Sequence, residues 1–200
     1  MLIHQPIPLI LASGSSIRQA MLRSVGLTFS VVPSGVDEEL LKTRNAHLPI
    51  PERALELARA KTLFVAQQYP AHLTIGADQM CEFAGNILSK PLTYDKAEAQ
   101  LAMLAGNTHF QHSAVALARG SDILFSHTTT ASLTMRSLSE LEISAYVAAD
   151  APLTSCGSYK FEAMGRHLFS SVTGDNDTIQ GLPLVPLLAA LHTNGGIILR

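Results

Sequence analysis

Cysteine is almost absent from this 200-residue chain. The two present, Cys81 and Cys156, form no C-x-x-C pair, which argues against a disulfide scaffold or a paired-thiol motif and reads as small buried thiols. Charge is sparse as well. Fourteen Lys and Arg face 16 Asp and Glu, a net −2, with none of the basic excess that bulk binding to nucleic acid requires. An anion site, if there is one, has to be local. Long hydrophobic runs are missing too. The segment "LPLVPLLAAL" is too short and too proline-rich to span a bilayer, and the opening "MLIHQPIPLI" lacks the cationic n-region and cleavage site of a secretory signal. There is no internal repeat, no low-complexity linker, no P-loop, no H-E-x-x-H and no G-x-S-x-G. These absences predict a single domain over residues 1–200, with no nucleic-acid and no membrane partner, in a reducing cytoplasm. At 47% hydrophobic residues the chain has ample material for a core.

What is present alternates between strand-like and helix-like patterns. "LILA" reads as a buried strand, "SGSS" as a polar turn and "IRQAMLRSV" as a helix closed by Gly26. "FSVVPSGVDEELL" reads as a strand followed by a polar loop, and "PERALELARAKTLFVAQQY" as a long helix with Pro51 near its start. "HLTIGADQMCEF" and "NILSKP" read as a hairpin turning at Ala84-Gly85-Asn86. A helix ending at Gly106, two strands around Gly120, a helix opened by a Ser139/Glu142 capping box and a last helix in "LPLVPLLAALHT" follow. Such interleaving predicts α/β or α+β structure around a mixed sheet.

Several residues could carry chemistry. In the opening turn, Ser16 and Gln19 have the spacing of a capping box. The same helix start, with Ser13, Ser15 and Arg18 around it, could instead bind a phosphate through unpaired N–H groups. Both readings stand on this stretch. In the long helix, Ala54, Leu57, Ala58, Lys61 and Val65 share one face, which puts Lys61 inside an apolar stripe. It must either snorkel out or meet a buried anion. In "TIGADQ", Asp78 follows the small Gly76 and Ala77 where a strand would open to solvent, so that a ligand could approach closely. An aspartate that caps its own turn is the plainer alternative. Lys90, expected on the strand after the hairpin turn, could reach the same cleft or serve as an ordinary edge lysine. The "VDEE" carboxylates are expected on a loop, either solvated or acting with Asp78 as hard ligands for Mg²⁺ or Mn²⁺. The eight histidines have no metal-ligand spacing and are expected mostly at the surface. Taken in order, this inventory fits metal-assisted attack of water on a phosphate ester or anhydride.

Along nearly its whole length the sequence resembles the Maf family of nucleotide pyrophosphatases. The resemblance rests on "LILASGSSIRQAML", "VDEE", "LARAK", "TIGADQ", "SKPLTYDKAEAQL", "GNTHFQHSAVAL", "LSELEISAYV", "CGSYKFE" and "GLPL". It implies a mixed, strongly curved sheet flanked by helices, as in inosine-triphosphatase-like folds, with two lobes around a central cleft. It also implies hydrolysis of a nucleoside triphosphate to the monophosphate and pyrophosphate with a divalent metal cation, Mg²⁺ or Mn²⁺. Carried over by position, Asp78 accepts the proton of water, Glu38 and Asp78 serve the metal, and Ser13, Ser15, Arg18, Lys61 and Lys90 face the triphosphate. "GADQ" with "YKFE" resembles the branch acting on 7-methyl-GTP, which puts Gln79, Glu162 and Ile17 at the base. A glutamate suits the adjacent donors of a guanine edge and the positive charge of an N7-methylated ring. Two positions depart from the family pattern. Ser16 replaces a proline, and Ile17 replaces the tryptophan typical of that branch, removing an aromatic face worth about 0.5–2 kcal/mol to a cationic base. The expected partner is a small-molecule nucleotide, and a homodimer is compatible with the sequence. Two alternatives accompany this reading: a dTTP/UTP pyrophosphatase of the same family, and a non-catalytic nucleotide-binding regulator of cell division.

Overall fold

The computed structural model describes residues 2–200. In chain order the elements are β1 (Ile3–His4), β2 (Leu9–Leu11), α1 (Ser16–Ser24), β3 (Ser30–Val31), α2 (Glu38–Arg44), α3 (Ile50–Ala66), β4 (Leu73–Phe83) and β5 (Asn86–Leu88). There follow α4 (Tyr94–Leu104), β6 (Thr108–Arg119), β7 (Asp122–Met135), α5 (Glu140–Asp150), a 3-10 helix (Met164–Leu168), β8 (Phe169–Thr173), α6 (Asn176–Ile179), α7 (Leu184–Thr193) and β9 (Ile198–Leu199). Seven strands form one sheet in the order β3-β2-β4-β6-β7-β8, with β5 paired to β4, and β1 pairs with β9 separately. The sheet is mixed, as predicted: β2 runs parallel to β3 and β4, whereas β5 and β8 run antiparallel to β4 and β7. Among the described residues no helix is long and apolar enough to cross a membrane.

The chain divides into two compact units. Among the described residues the first comprises 2–79, 113–129 and 181–200, and the second 80–112 and 130–180. In the first unit, β2 is apolar without alternation because both its faces are covered, as is usual for a strand inside a parallel array. Leu9 and Leu11 join a core with Met21 and Leu22 of α1 and Leu187 and Leu191 of α7. Ile10 and Ala12 pack instead with Val65 of α3. The strand β4 divides in the same way. Ile75 and Ala77 enter the α1/α7 core, and Gly76, on the opposite face, meets α3.

In the second unit, α4 and α5 supply Leu101, Leu104, Ile143 and Val147 to a core with Cys81, Leu133 and Phe161. The Ser139/Glu142 capping box forms as predicted: the Ser139 hydroxyl accepts from Glu142 N–H and the Glu142 carboxylate accepts from Ser139 N–H. The hairpin also turns where expected. Ala84 and Gly85 both adopt positive φ, 49° and 79°, the pair that a type I′ turn needs to match strand twist. The strand pair β1–β9 escapes sequence reading, being two residues long on each side and joining the two ends of the chain.

Candidate active site

Register places the polar turn. Ala12 N–H donates to Ile75 O at 2.7 Å, so the chain leaves β2 beside the stretch of β4 that leads to Asp78. The turn is tied by its own hydroxyls. Ser15, not Ser16, is the helix cap: its Oγ accepts from Arg18 N–H at 3.4 Å, and Ser13 Oγ accepts from Ser15 N–H at 3.3 Å. The predicted Ser16/Gln19 box therefore does not form: the cap lies one residue earlier, and Arg18 at the third helical position has no acceptor to return the bond. Ser15 sits in the extended conformation that a cap requires, and Ser16 is already helical. Arg18 braces the turn. Its Nη1 donates to Ser13 Oγ at 3.2 Å and to Ala77 O at 2.9 Å, and its Nε donates to Gly181 O at 2.9 Å. Gly181 has φ 93°, and an added Cβ there would lie 3.0 Å from the Gln79 amide oxygen and 3.5 Å from Arg18 Nη2. Arg18, Gln79 and Gly181 thus form one packed corner. Gly181 opens the "GLPL" block, to which the sequence alone assigns no site role.

Lys61 answers the question its helical stripe raised. It is 8% exposed and does not snorkel. Its ammonium donates to Asp78 Oδ1 at 2.7 Å and lies 2.9 Å from Glu38 Oε1. Lys61 and Asp78 are both buried and offset each other's desolvation, whereas Glu38, with its side chain 47% exposed, completes the pair from the solvent side. The approach depends on Gly76. A Cβ there would collide with Thr62 Oγ1 and lie 3.0 Å from Ala58 O and Thr62 N, so the missing side chain admits α3 rather than the expected ligand.

Three expectations about location change. Asp78 is not at a strand end, because β4 continues to Phe83; it is 8% exposed. Glu38 and Glu39 are not on a loop. They form the first turn of α2 behind an Asp37 cap, where carboxylates suit the helix dipole. Lys90 is not on a strand: β5 ends at Leu88, and Lys90 is exposed beyond it. Lys42 was not foreseen. Its hydrogen bond to Glu39 raises its pKa against the effect of burial, and the charges of Glu38 and Asp78 add to the rise.

The other candidates are scattered. Ile17 packs half-buried against the α1/α7 core. Lys90 and Glu162 belong to the second unit, with Glu162 exposed on the turn after Phe161. The histidines are not all superficial, since His109 and His112 are 0% and 4% exposed. His109 Nε2 lies 2.9 Å from Tyr159 Oη, and burial holds its imidazole down to about 4. His112 is paired with Glu82 at 2.7 Å.

Among the described residues no group of three or more His, Cys, Asp and Glu side chains gathers into a self-sufficient metal cage. A hard cation held mainly by phosphate and water needs only one or two carboxylates, a number that Glu38 and Asp78, meeting on one ammonium, could supply. The donor set fits Mg²⁺ or Mn²⁺.

A protein of Legionella pneumophila named nucleoside triphosphate pyrophosphatase is 44% identical over 184 residues, covering 92% of each chain. Proteins of the same name from Rhodopseudomonas palustris and Nitrobacter hamburgensis are 43% and 42% identical, covering 92% and 96% of this chain. The solved dITP/XTP pyrophosphatase of Mycobacterium abscessus is 14% identical, with a TM-score of 0.42 over 94% of each chain, too slight a likeness to carry an assignment. The family model described as Maf-like protein matches residues 8–194. The chain belongs to the Maf family.

Proposed function

We propose that this protein is a nucleoside triphosphate pyrophosphatase, a hydrolase acting on phosphorus anhydrides. Relatives of that name, similar over almost the full chain, support the reaction class. The observation within the chain that carries the reading is the buried Lys61 ammonium between Asp78 and Glu38. Pure binding of a nucleotide needs no carboxylate to take a proton from water, whereas hydrolysis has a use for one.

In this reading a water oxygen bonds to the α-phosphorus, the α–β bridging bond breaks, and the monophosphate and pyrophosphate leave. An Asp78 carboxylate oxygen takes the proton of the attacking water. Lys61 and Lys90 neutralise phosphate charge, and Ser13 and Ser15 offer hydroxyl donors. Arg18 adds positive charge while bracing the turn. Glu38 and Asp78 would hold Mg²⁺ or Mn²⁺, which when bound supplies Lewis-acid stabilisation and a more acidic water. A strongly curved sheet with a cleft between two lobes of one 1–200 domain belongs to the same reading. So does action in the cytoplasm on a freely diffusing nucleotide, without nucleic acid or membrane; a homodimer is compatible with it.

The substrate is proposed to be 7-methyl-GTP, with Glu162, Gln79 and Ile17 at the base. Support comes from "GADQ" and "YKFE" in the sequence and from the match between a carboxylate and a donor-rich, positively charged base. The test is pyrophosphate release from a panel of canonical and methylated triphosphates. A kcat/KM highest for 7-methyl-GTP supports the substrate. Preference for dTTP or UTP shifts it within the family, and binding without release from any triphosphate would favour a nucleotide-sensing regulator.

A further inference from the structure

The Lys61 ammonium lies between the two carboxylates that the proposed function assigns to a divalent cation. Nζ is 2.7 Å from Asp78 Oδ1 and 2.9 Å from Glu38 Oε1, with Lys61 and Asp78 both buried. The side chain cannot drift out easily. It sits in the apolar face of α3 among Ala54, Leu57, Ala58 and Val65, and that helix is seated on Gly76 of β4. A second cation brought between the same carboxylates would be repelled by the ammonium, least screened on the buried Asp78 side and more on the side of the half-exposed Glu38. The two cations therefore compete for one pair of anions.

We propose that Lys61 is a built-in competitor for the divalent cation: it holds the Glu38–Asp78 pair against free metal and releases it when a triphosphate arrives to accept the ammonium. This rests on the pyrophosphatase reading, and specifies how that site is regulated. The triphosphate is the group with enough negative charge to take over the lysine. Metal and nucleotide then occupy the site together, and the carboxylates are not left holding a cation with no substrate to act on.

The proposal makes Lys61→Met act in opposite directions on two ligands. Titration calorimetry with Mn²⁺ alone, without nucleotide, should show at least tenfold tighter binding in Lys61→Met than in the parent. Binding of a non-hydrolysable triphosphate without metal should be weaker in the same variant. Lys61→Gln, which keeps a polar tip but no charge, should behave alike, and it serves if the Met variant does not fold. Mn²⁺ affinity that is unchanged or lower in the folded variants would overturn the proposal. Failure of the functional reading looks different. A parent protein that releases no pyrophosphate from any triphosphate would sink the pyrophosphatase, while the metal titrations would still report on Lys61.

Discussion

Replacing Gly76 with alanine should force β4 and α3 apart where Lys61 meets Asp78. The new methyl would collide with Thr62 Oγ1 and sit 3.0 Å from Ala58 O and Thr62 N. The hydroxyl can rotate away by giving up its 2.6 Å hydrogen bond to Ala58 O. The two backbone atoms cannot, because they lie inside a 17-residue helix. Overpacking of this kind costs about 1–3 kcal/mol, and the lost hydrogen bond about 1 kcal/mol more. The expected destabilisation is therefore about 2–4 kcal/mol. Lys61 adjoins Thr62, so the same displacement lengthens the 2.7 Å contact to Asp78 and should lower kcat/KM. Urea unfolding of Gly76→Ala, Thr62→Ala and the double variant measures this directly. The double variant should recover only part of the loss, since removing the hydroxyl leaves both backbone contacts in place. A Gly76→Ala protein within about 0.5 kcal/mol of the parent would refute this account, as would full recovery in the double variant.

Asp78→Asn keeps the side-chain size but makes a far poorer base and ligand, so turnover should fall by about 10²-fold or more with the fold retained by circular dichroism; an unchanged rate removes Asp78 from the chemistry. Burial holds His109 down to about 4 against an ordinary 6.5, so it is neutral when folded and takes up a proton on unfolding. Its stabilising contribution is complete above about pH 6.5 and declines as pH falls toward 4, by roughly 3 kcal/mol in all. Unfolding free energies of the parent and His109→Gln measured across that window should converge as pH falls; parallel curves would contradict the shift. Glu162→Gln should lower, and Ile17→Trp raise, the ratio of kcat/KM for 7-methyl-GTP over UTP. A mismatched amide donor costs about 1–3 kcal/mol and a restored aromatic face gains about 0.5–2 kcal/mol, and a flat ratio takes both residues out of the base pocket.

Local periodicity made much of this fold legible. The strand, turn and helix from Leu9 to Ser24, the hairpin at Ala84-Gly85 and the capped α5 each carry their signal within a few neighbouring residues. A boundary that depends on something outside the local window is not legible in this way. "VDEE" looked like loop because the residues before it are polar and small, yet Asp37 caps a helix there that docks beside α3. Asp78 looked terminal because two small residues precede it, yet β4 runs on as a partner for β5.

Gly76 shows how the same residue can be read correctly for the wrong reason. A small residue beside a carboxylate does mark a close approach, but the sequence does not say what approaches. Here it is a helix, and the distinction matters to the chemistry. If a ligand filled that space, Lys61 and Asp78 would be independent contributors. With Thr62 and Ala58 seated against Gly76, the spacing of α3 from β4 is fixed by backbone contact. The Lys61 stripe was legible from a period of 3.6 residues, and Asp78 from composition. Their partnership requires the register between two elements that bring residues 17 apart in the chain together, which periodicity does not encode. The ion pair at the centre of the site is therefore a product of tertiary packing. A change that touches neither charge, at Gly76 or Thr62, should disturb it as surely as one that removes a charge.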